Sequence, residues 1–206
     1  MSKVVCFGDS ITARKEGYPS PILTYMLSAR MKDYQFINAG VSGNTTEQAK
    51  ERIQKDVLAK NPDIVTILFG ANDSAVHRMV ELELFKRNLL EFAEKIGPEK
   101  TILITPAPVN ELLQPNRSNK RLKQYALAVE EVANETGSHL IDFFSEIYSK
   151  PNCSSLLKGE KDDGLHFGEA GYAILTSLIV QKLEEINTSK KKRGFFQRLL
   201  SKITRW

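Results

Sequence analysis

A serine, a histidine and an aspartate can together hydrolyse an ester if the fold brings them into line. A serine hydroxyl is a poor nucleophile near neutral pH and needs a base within hydrogen-bond reach, normally an imidazole oriented by a carboxylate. In "VVCFGDSITAR", residues 4–14, an apolar run stops at Gly8-Asp9-Ser10 and presents Ser10 at its end. Of the three histidines, His77 lies in a polar stretch and His139 at the start of an apolar one. His166 follows Asp163 by three residues in "DGLH". Gly164 permits a tight turn that folds the carboxylate back toward the imidazole. A plain Asp-Gly turn beside a surface histidine would carry the same letters.

Acyl transfer also needs preorganised donors for the oxyanion. In "AGVSGN", Gly40 and Gly43 let the backbone approach closely and offer N–H groups, and in "GAND" Asn72 offers a side-chain amide. Taken singly, these are a helix-capping loop and an Asx-turn. Their appearance at successive strand ends, together with Ser10 and the Asp163–His166 pair, favours chemistry. Ser42 is not read as a nucleophile, because the Gly-x-Ser-x-Gly elbow is missing. Asp9 and Asp73 are read as braces that accept backbone hydrogen bonds, and Asp142 as structural. No Cys/His cluster has metal-ligand spacing, so neither metal nor cofactor is expected. The glycine-rich loop lacks the Gly-Lys-Ser/Thr of a P-loop and the third glycine of a dinucleotide fingerprint.

These residues need a scaffold. Apolar runs at 3–7, 34–39, 63–69, 101–105 and 138–142 read as strands. Helical stretches are expected at 19–31, 45–60, 81–96, 118–136 and 168–187, the second capped by Asn44 or Thr45 with Glu47 or Gln48 three residues on. Strands alternating with helices predict a parallel sheet covered on both faces, a three-layer αβα sandwich. The polar, glycine-rich segments all follow strands, so they gather at the carboxyl edge where such sheets bind ligands. Ala75–Val80 and the proline-rich Ala107–Asn119 are the segments expected to line the substrate pockets.

Composition supports one soluble domain of 1–187 followed by a tail of 188–206. The 206 residues are 41% hydrophobic and 26% charged, with a net charge of +4. Lys190, Lys191, Lys192, Arg193, Arg198, Lys202 and Arg205 hold the basic excess; 29 basic residues less these seven leaves 22 against 25 acidic, about −3. A nucleic-acid partner is therefore not expected. Two cysteines, Cys6 and Cys153, suggest no disulfide framework. The opening lacks the apolar stretch and cleavage site of a signal peptide, and no run of 18 apolar residues occurs, so a cytoplasmic protein is expected. At about 100° per residue, Phe195, Phe196, Leu199, Leu200, Ile203 and Trp206 would share one side of a helix, opposite Arg198, Lys202 and Arg205. That pattern suits peripheral association with an anionic (inner) membrane surface. Docking on the body or a second subunit, or a tail without fixed structure, are the alternatives.

"GDS", "GVSGNTT", "GAND" and "DGLH", in this order from residue 8 to 166, resemble the four signature blocks of the SGNH or GDSL-type hydrolase family. "FGANDS", "ITPAPVNE" and "DDGLHFGEAGY" resemble its isoamyl-acetate-hydrolysing esterase branch. The first block departs from the commonest form, with Ile11 where many members have Leu. The resemblance implies a flavodoxin-like sheet of order 2-1-3-4-5 and a serine esterase or lipase-type acylhydrolase acting on short acyl esters through an acyl-enzyme. It implies Ser10 as nucleophile, His166 as base and Asp163 as its orienting acid. Ser10 N–H, Gly43 N–H and the Asn72 amide would form the oxyanion hole. Sugar deacetylation, lysophospholipid or thioester hydrolysis would use the same site; a non-catalytic binding protein on the same fold is the rival of another class.

Overall fold

Alternation along β1 (Ser2–Gly8) sets the two faces of the sheet: Val4 and Cys6 join one core and Val5 and Phe7 the other, all fully buried. The computed structural model describes the backbone of residues 1–203 and the side chains of residues 1–192. β2 (Tyr34–Gly40), β3 (Ile64–Leu68), β4 (Thr101–Ile104) and β5 (His139–Ile141) complete a wholly parallel sheet of order β2-β1-β3-β4-β5. This is the expected order. It puts β1 and β3 at the centre, buried on both sides, hence their continuous apolar runs.

α1 (Ser10–Ala13) is one helical turn that leaves β1 directly. α2 (Ile22–Arg30) and α8 (Glu169–Ile203) cover one face, through Leu23 and Leu27 from the first and Leu175, Ile179 and Leu183 from the second. α3 (Thr46–Asp56), α4 (Leu82–Ile96) and α5 (Asn119–Thr136) cover the other, through Ile53, Phe85, Phe92 and Val129. α6 (Phe143–Tyr148) and α7 (Cys153–Leu156) lie in the segment between β5 and α8.

The elements differ from the sequence expectation where periodicity has too little chain to act on. α1, α6 and α7 have four to six residues, too few for an apolar stripe to declare itself. Thr45 is the cap of α3, in a capping box with Gln48. That helix stops at Asp56, and the expected remainder is a 3-10 turn over Leu58–Lys60. α8 runs through Asn187 to Ile203, so the composition change there falls inside a continuous helix. The side chains of Phe195, Phe196, Leu199, Leu200, Ile203 and Trp206 lie outside the described residues. Among the described residues no helix is long and apolar enough to cross a membrane.

Candidate active site

The carboxyl ends of β1, β2 and β3 bring three segments together. Asp9 caps α1, its Oδ1 accepting from Ile11 N–H at 2.9 Å, and so presents Ser10 as the first residue of that helix rather than in a loop. At this position the Ser10 N–H has no intrahelical acceptor. Gly40 ends β2 against α1; a Cβ there would stand 2.5 Å from the Ala13 nitrogen, so only glycine lets the two segments close. Arg52 of α3 secures the junction, donating to the carbonyls of Gly8 and Ala39, both at 2.8 Å, and to Asn44 Oδ1 at 2.6 Å.

His166 arrives from the segment before α8. Ser10 Oγ lies 2.8 Å from His166 Nε2, and His166 Nδ1 lies 2.6 Å from Asp163 Oδ2. A carboxylate on Nδ1 places the ring proton there and leaves Nε2 free to accept. Asp163 Oδ1 accepts the backbone N–H groups of Leu165 and His166 at 3.0 and 2.9 Å. The Asp-Gly turn thus folds back as its spacing predicted, with Gly164 at φ +74°. Burial raises the Asp163 carboxyl, but the hydrogen bonds from His166 and Leu165 outweigh it and hold the group down at about 2. Burial pulls the His166 imidazole below its ordinary 6.5, against the pull of Asp163. Both directions favour a neutral imidazole beside an ionised carboxylate at neutral pH.

Asn72 bridges the other two blocks. Its Nδ2 donates to Asp9 Oδ2 at 3.1 Å and to the Asn44 carbonyl at 3.0 Å, tying the Ser10 turn to the Gly43 loop. Both amide protons are engaged, so donation to an oxyanion requires one of these bonds to be shared or exchanged. Gly43 has φ +82°, and its carbonyl accepts from Arg78 Nη1 at 2.8 Å, which fixes the orientation of that peptide. Asp9 and Asp73 are buried braces. Desolvation raises Asp9 to about 7 and Asp73 to about 6. Asp73 Oδ1 takes the Thr46 N–H at 2.8 Å and its hydroxyl at 2.6 Å.

The remaining candidates sort themselves by position. Ser42 is exposed, whereas Ser10 meets the His166 imidazole. His77 is exposed and takes a bond from Arg78, while His139 opens β5 at the opposite edge of the sheet. Asp142 caps α6 and accepts from Ser145 N–H. The segment 107–119 grips the machinery as well as flanking it. Asn110 N–H donates to the Gly164 carbonyl at 2.8 Å, Gln114 Nε2 to the Asp163 carbonyl at 2.6 Å, and Arg117 Nη2 to Asn72 Oδ1 at 3.2 Å. Arg52, Gln114 and Arg117 went unread in the sequence, because no spacing rule links them to the blocks they hold. A half-buried pair, Arg14 with Glu16, stands on the other side; Glu16 Oε2 accepts the Glu160 N–H at 2.7 Å and steadies the segment before His166.

Comparisons with known proteins bear on the fold and the family. Residues 6–174 match the GDSL-like lipase/acylhydrolase family. The chain is 32% identical over 201 residues to an isoamyl acetate-hydrolyzing esterase 1 homolog of Rattus norvegicus, covering 84% of this chain and 78% of that one. It is 27% identical over 210 residues to an acetylxylan esterase of Geobacillus stearothermophilus, covering 88% and 93%. Among solved structures, a lipase/acylhydrolase from Enterococcus faecalis superposes with a TM-score of 0.84 at 36% identity, covering 90% of this chain and 96% of that one.

Proposed function

The chain belongs to the GDSL-like lipase/acylhydrolase family and is a carboxylic ester hydrolase, and we propose that Ser10, His166 and Asp163 carry its reaction on short acyl esters. The observation that supports this reading best is the unbroken line Ser10 Oγ, His166, Asp163, with links of 2.8 and 2.6 Å. Ser10 Oγ attacks the ester carbonyl while His166 Nε2 takes its proton. The tetrahedral oxyanion is met by Ser10 N–H, Gly43 N–H and the Asn72 amide. His166 then gives the proton to the departing alcohol, leaving an acyl-Ser10 ester. Water, deprotonated by His166, attacks the acyl carbon, and the carboxylic acid leaves as Ser10 regains its proton. Asp163 holds the imidazole in the working tautomer throughout.

The names of the relatives narrow the acyl group. One is an isoamyl acetate-hydrolyzing esterase homolog and one an acetylxylan esterase, so acetyl is the acyl group their names share. We therefore place acetyl and similarly short acyl groups on Ser10, with the alcohol set by the 75–80 and 107–119 segments. Ser10→Ala should abolish ester turnover and labelling by a fluorophosphonate. Its melting temperature should stay close to that of the native protein, since among the described residues the hydroxyl's hydrogen-bond partner is His166. Undiminished turnover in that variant, with loss in Ser42→Ala instead, would overturn the assignment; an unlabelled native Ser10 would favour a binding protein.

We also infer that the basic segment 188–206 associates peripherally with anionic lipid. Support comes from its charge, seven basic side chains and no acidic one from Lys190 onward, and from the helical backbone that carries it to Ile203. Asn187 bonds Tyr34, the first residue of β2, at the amino end of the strands, whereas Ser10 follows their carboxyl end. A protein held this way takes its ester from the aqueous side.

A further inference from the structure

A side-chain amide can serve as an oxyanion donor only if its nitrogen, not its oxygen, faces the reacting centre. The two ends of an asparagine amide are nearly equal in shape, so the choice is made by what surrounds them. Around Asn72 the choice is made from both sides. Asp9 Oδ2 and the Asn44 carbonyl stand as acceptors and select Nδ2. Arg117 selects Oδ1, because a guanidinium only donates.

Arg117 is held for this task by the rest of its fork. Its Nε donates to the Ala71 carbonyl at 2.7 Å and its Nη1 to Gln114 Oε1 at 2.8 Å. Gln114 in turn donates to the Asp163 carbonyl. The planar guanidinium is therefore fixed by two other acceptors, and its Nη2 reaches Asn72 with little freedom to move. A cation on the amide oxygen draws electron density away from the nitrogen and strengthens its N–H groups as donors.

We propose that Arg117 is a positioning residue for the hydrolysis, holding the Asn72 amide with Nδ2 toward the developing oxyanion and polarising it. This rests on the donor role proposed for Asn72. Without Arg117 the amide keeps its Asp9 and Asn44 partners but loses the donor on its oxygen, so its hold on one orientation loosens and its N–H groups weaken as donors, and the weaker donation would be felt in the transition state. The loss therefore belongs in kcat, with KM little changed.

The experiment compares kcat and KM on a soluble acetate ester for the native enzyme, Arg117→Met, Arg117→Lys and Asn72→Ala, and for the two Arg117 substitutions combined with Asn72→Ala. Asn72→Ala alone should lower kcat by about 10²–10³, the usual effect of removing one oxyanion donor. Arg117→Met should lower kcat about tenfold or more, within the bound set by Asn72→Ala, and Arg117→Lys should recover part of the loss by keeping the charge. In the Asn72→Ala background neither substitution should lower kcat further, and the acid limb of the pH profile should keep its midpoint in every Arg117 variant. Equal losses in both backgrounds, or a displaced acid limb, would show that Arg117 acts through general packing or through His166, and would overturn the proposal. An undiminished kcat in Asn72→Ala overturns the donor reading and this proposal with it. A loss in Asn72→Ala without one in Arg117→Met overturns this proposal alone. If Arg117→Met does not fold by thermal melting, Arg117→Lys in the two backgrounds decides the question in the same way.

Discussion

Ser10 Oγ and His166 Nε2 stand 2.8 Å apart across 156 residues of chain. Such a contact survives only if both ends are anchored. Ser10 is anchored by the Asp9 cap and the buried end of β1, His166 by two bonds to Asp163 within its own turn. The pH dependence follows from this pair. In the proposed reaction His166 must be neutral to accept the serine proton, and burial holds its pKa below 6.5. Activity should rise with pH through one ionisation whose midpoint lies below 6.5, measured as kcat/KM on an unchanged ester. Asp163→Asn should remove the interaction that raises the imidazole, moving the limb to still lower pH, while lowering kcat by about 10³–10⁴ through the wrong tautomer. A limb that moves upward in this variant would contradict the orientation described.

Stability should carry a different pH signature, set by Asp9. Its folded pKa of about 7 lies above the value of 3.8 expected for the unfolded chain. Between these values the folded protein keeps a proton that the unfolded chain has lost. Stability contributed by this group is thus full below about 4 and is lost as pH rises toward 7. Asp73, raised to about 6, acts in the same direction. Asp163, held at about 2, acts oppositely, its contribution being lost only as pH falls below about 4. Urea unfolding at pH 5 and pH 8 should show a smaller difference in Asp9→Asn than in the native protein. An identical difference would mean that Asp9 titrates as it does in the unfolded chain.

The parts of the site that sequence made legible are those with local spacing. Ser10 closes an apolar run, Asp163 and His166 sit three apart around a glycine, and Gly43 and Asn72 follow their strands directly. The order of the sheet was legible too, though through resemblance of the four blocks and not through periodicity, which gives strands but not neighbours. What escaped are long-range partners. Arg117 meets Asn72 over 45 residues and Gln114 meets Asp163 over 49. An arginine in a proline-rich loop or on a polar helix reads as solvated, and only tertiary contact reveals Arg117 and Arg52 as half-buried clamps.

Gly164 is the point at which the Asp163 turn can be tested without touching a reacting group. Its φ of +74° is unfavourable for a residue with a Cβ, and that atom would stand 2.8 Å from Leu113 Cβ and 3.0 Å from the Asn110 carbonyl oxygen. Gly164→Ala should therefore lower stability by about 1–3 kcal/mol. It should also lower kcat, because relief of the clash turns Asp163 away from His166. Native melting temperature and native kcat together would show that the turn has another conformation open to it.

The tail offers the last prediction. The sequence puts three basic residues, Arg198, Lys202 and Arg205, among the apolar positions of the segment, and each basic residue near an anionic surface contributes about 1 kcal/mol. Reversing all three in the full chain, as Arg198→Glu, Lys202→Glu and Arg205→Glu, should weaken partitioning by at least about 10²-fold on that scale. The native protein should co-sediment with vesicles of mixed zwitterionic and anionic lipid at low salt, and much less at high salt, because screening shortens the reach of the charges. The triple variant should remain in the supernatant. Hydrolysis of a soluble acetate ester should be the same for both proteins, since Asn187, just before the segment, lies at the amino end of β2 while Ser10 follows the carboxyl end of β1. Equal sedimentation of the two would dismiss a lipid partner. A fall in melting temperature or in oligomer size with the triple variant would instead assign the segment to the body or to a second copy of the chain.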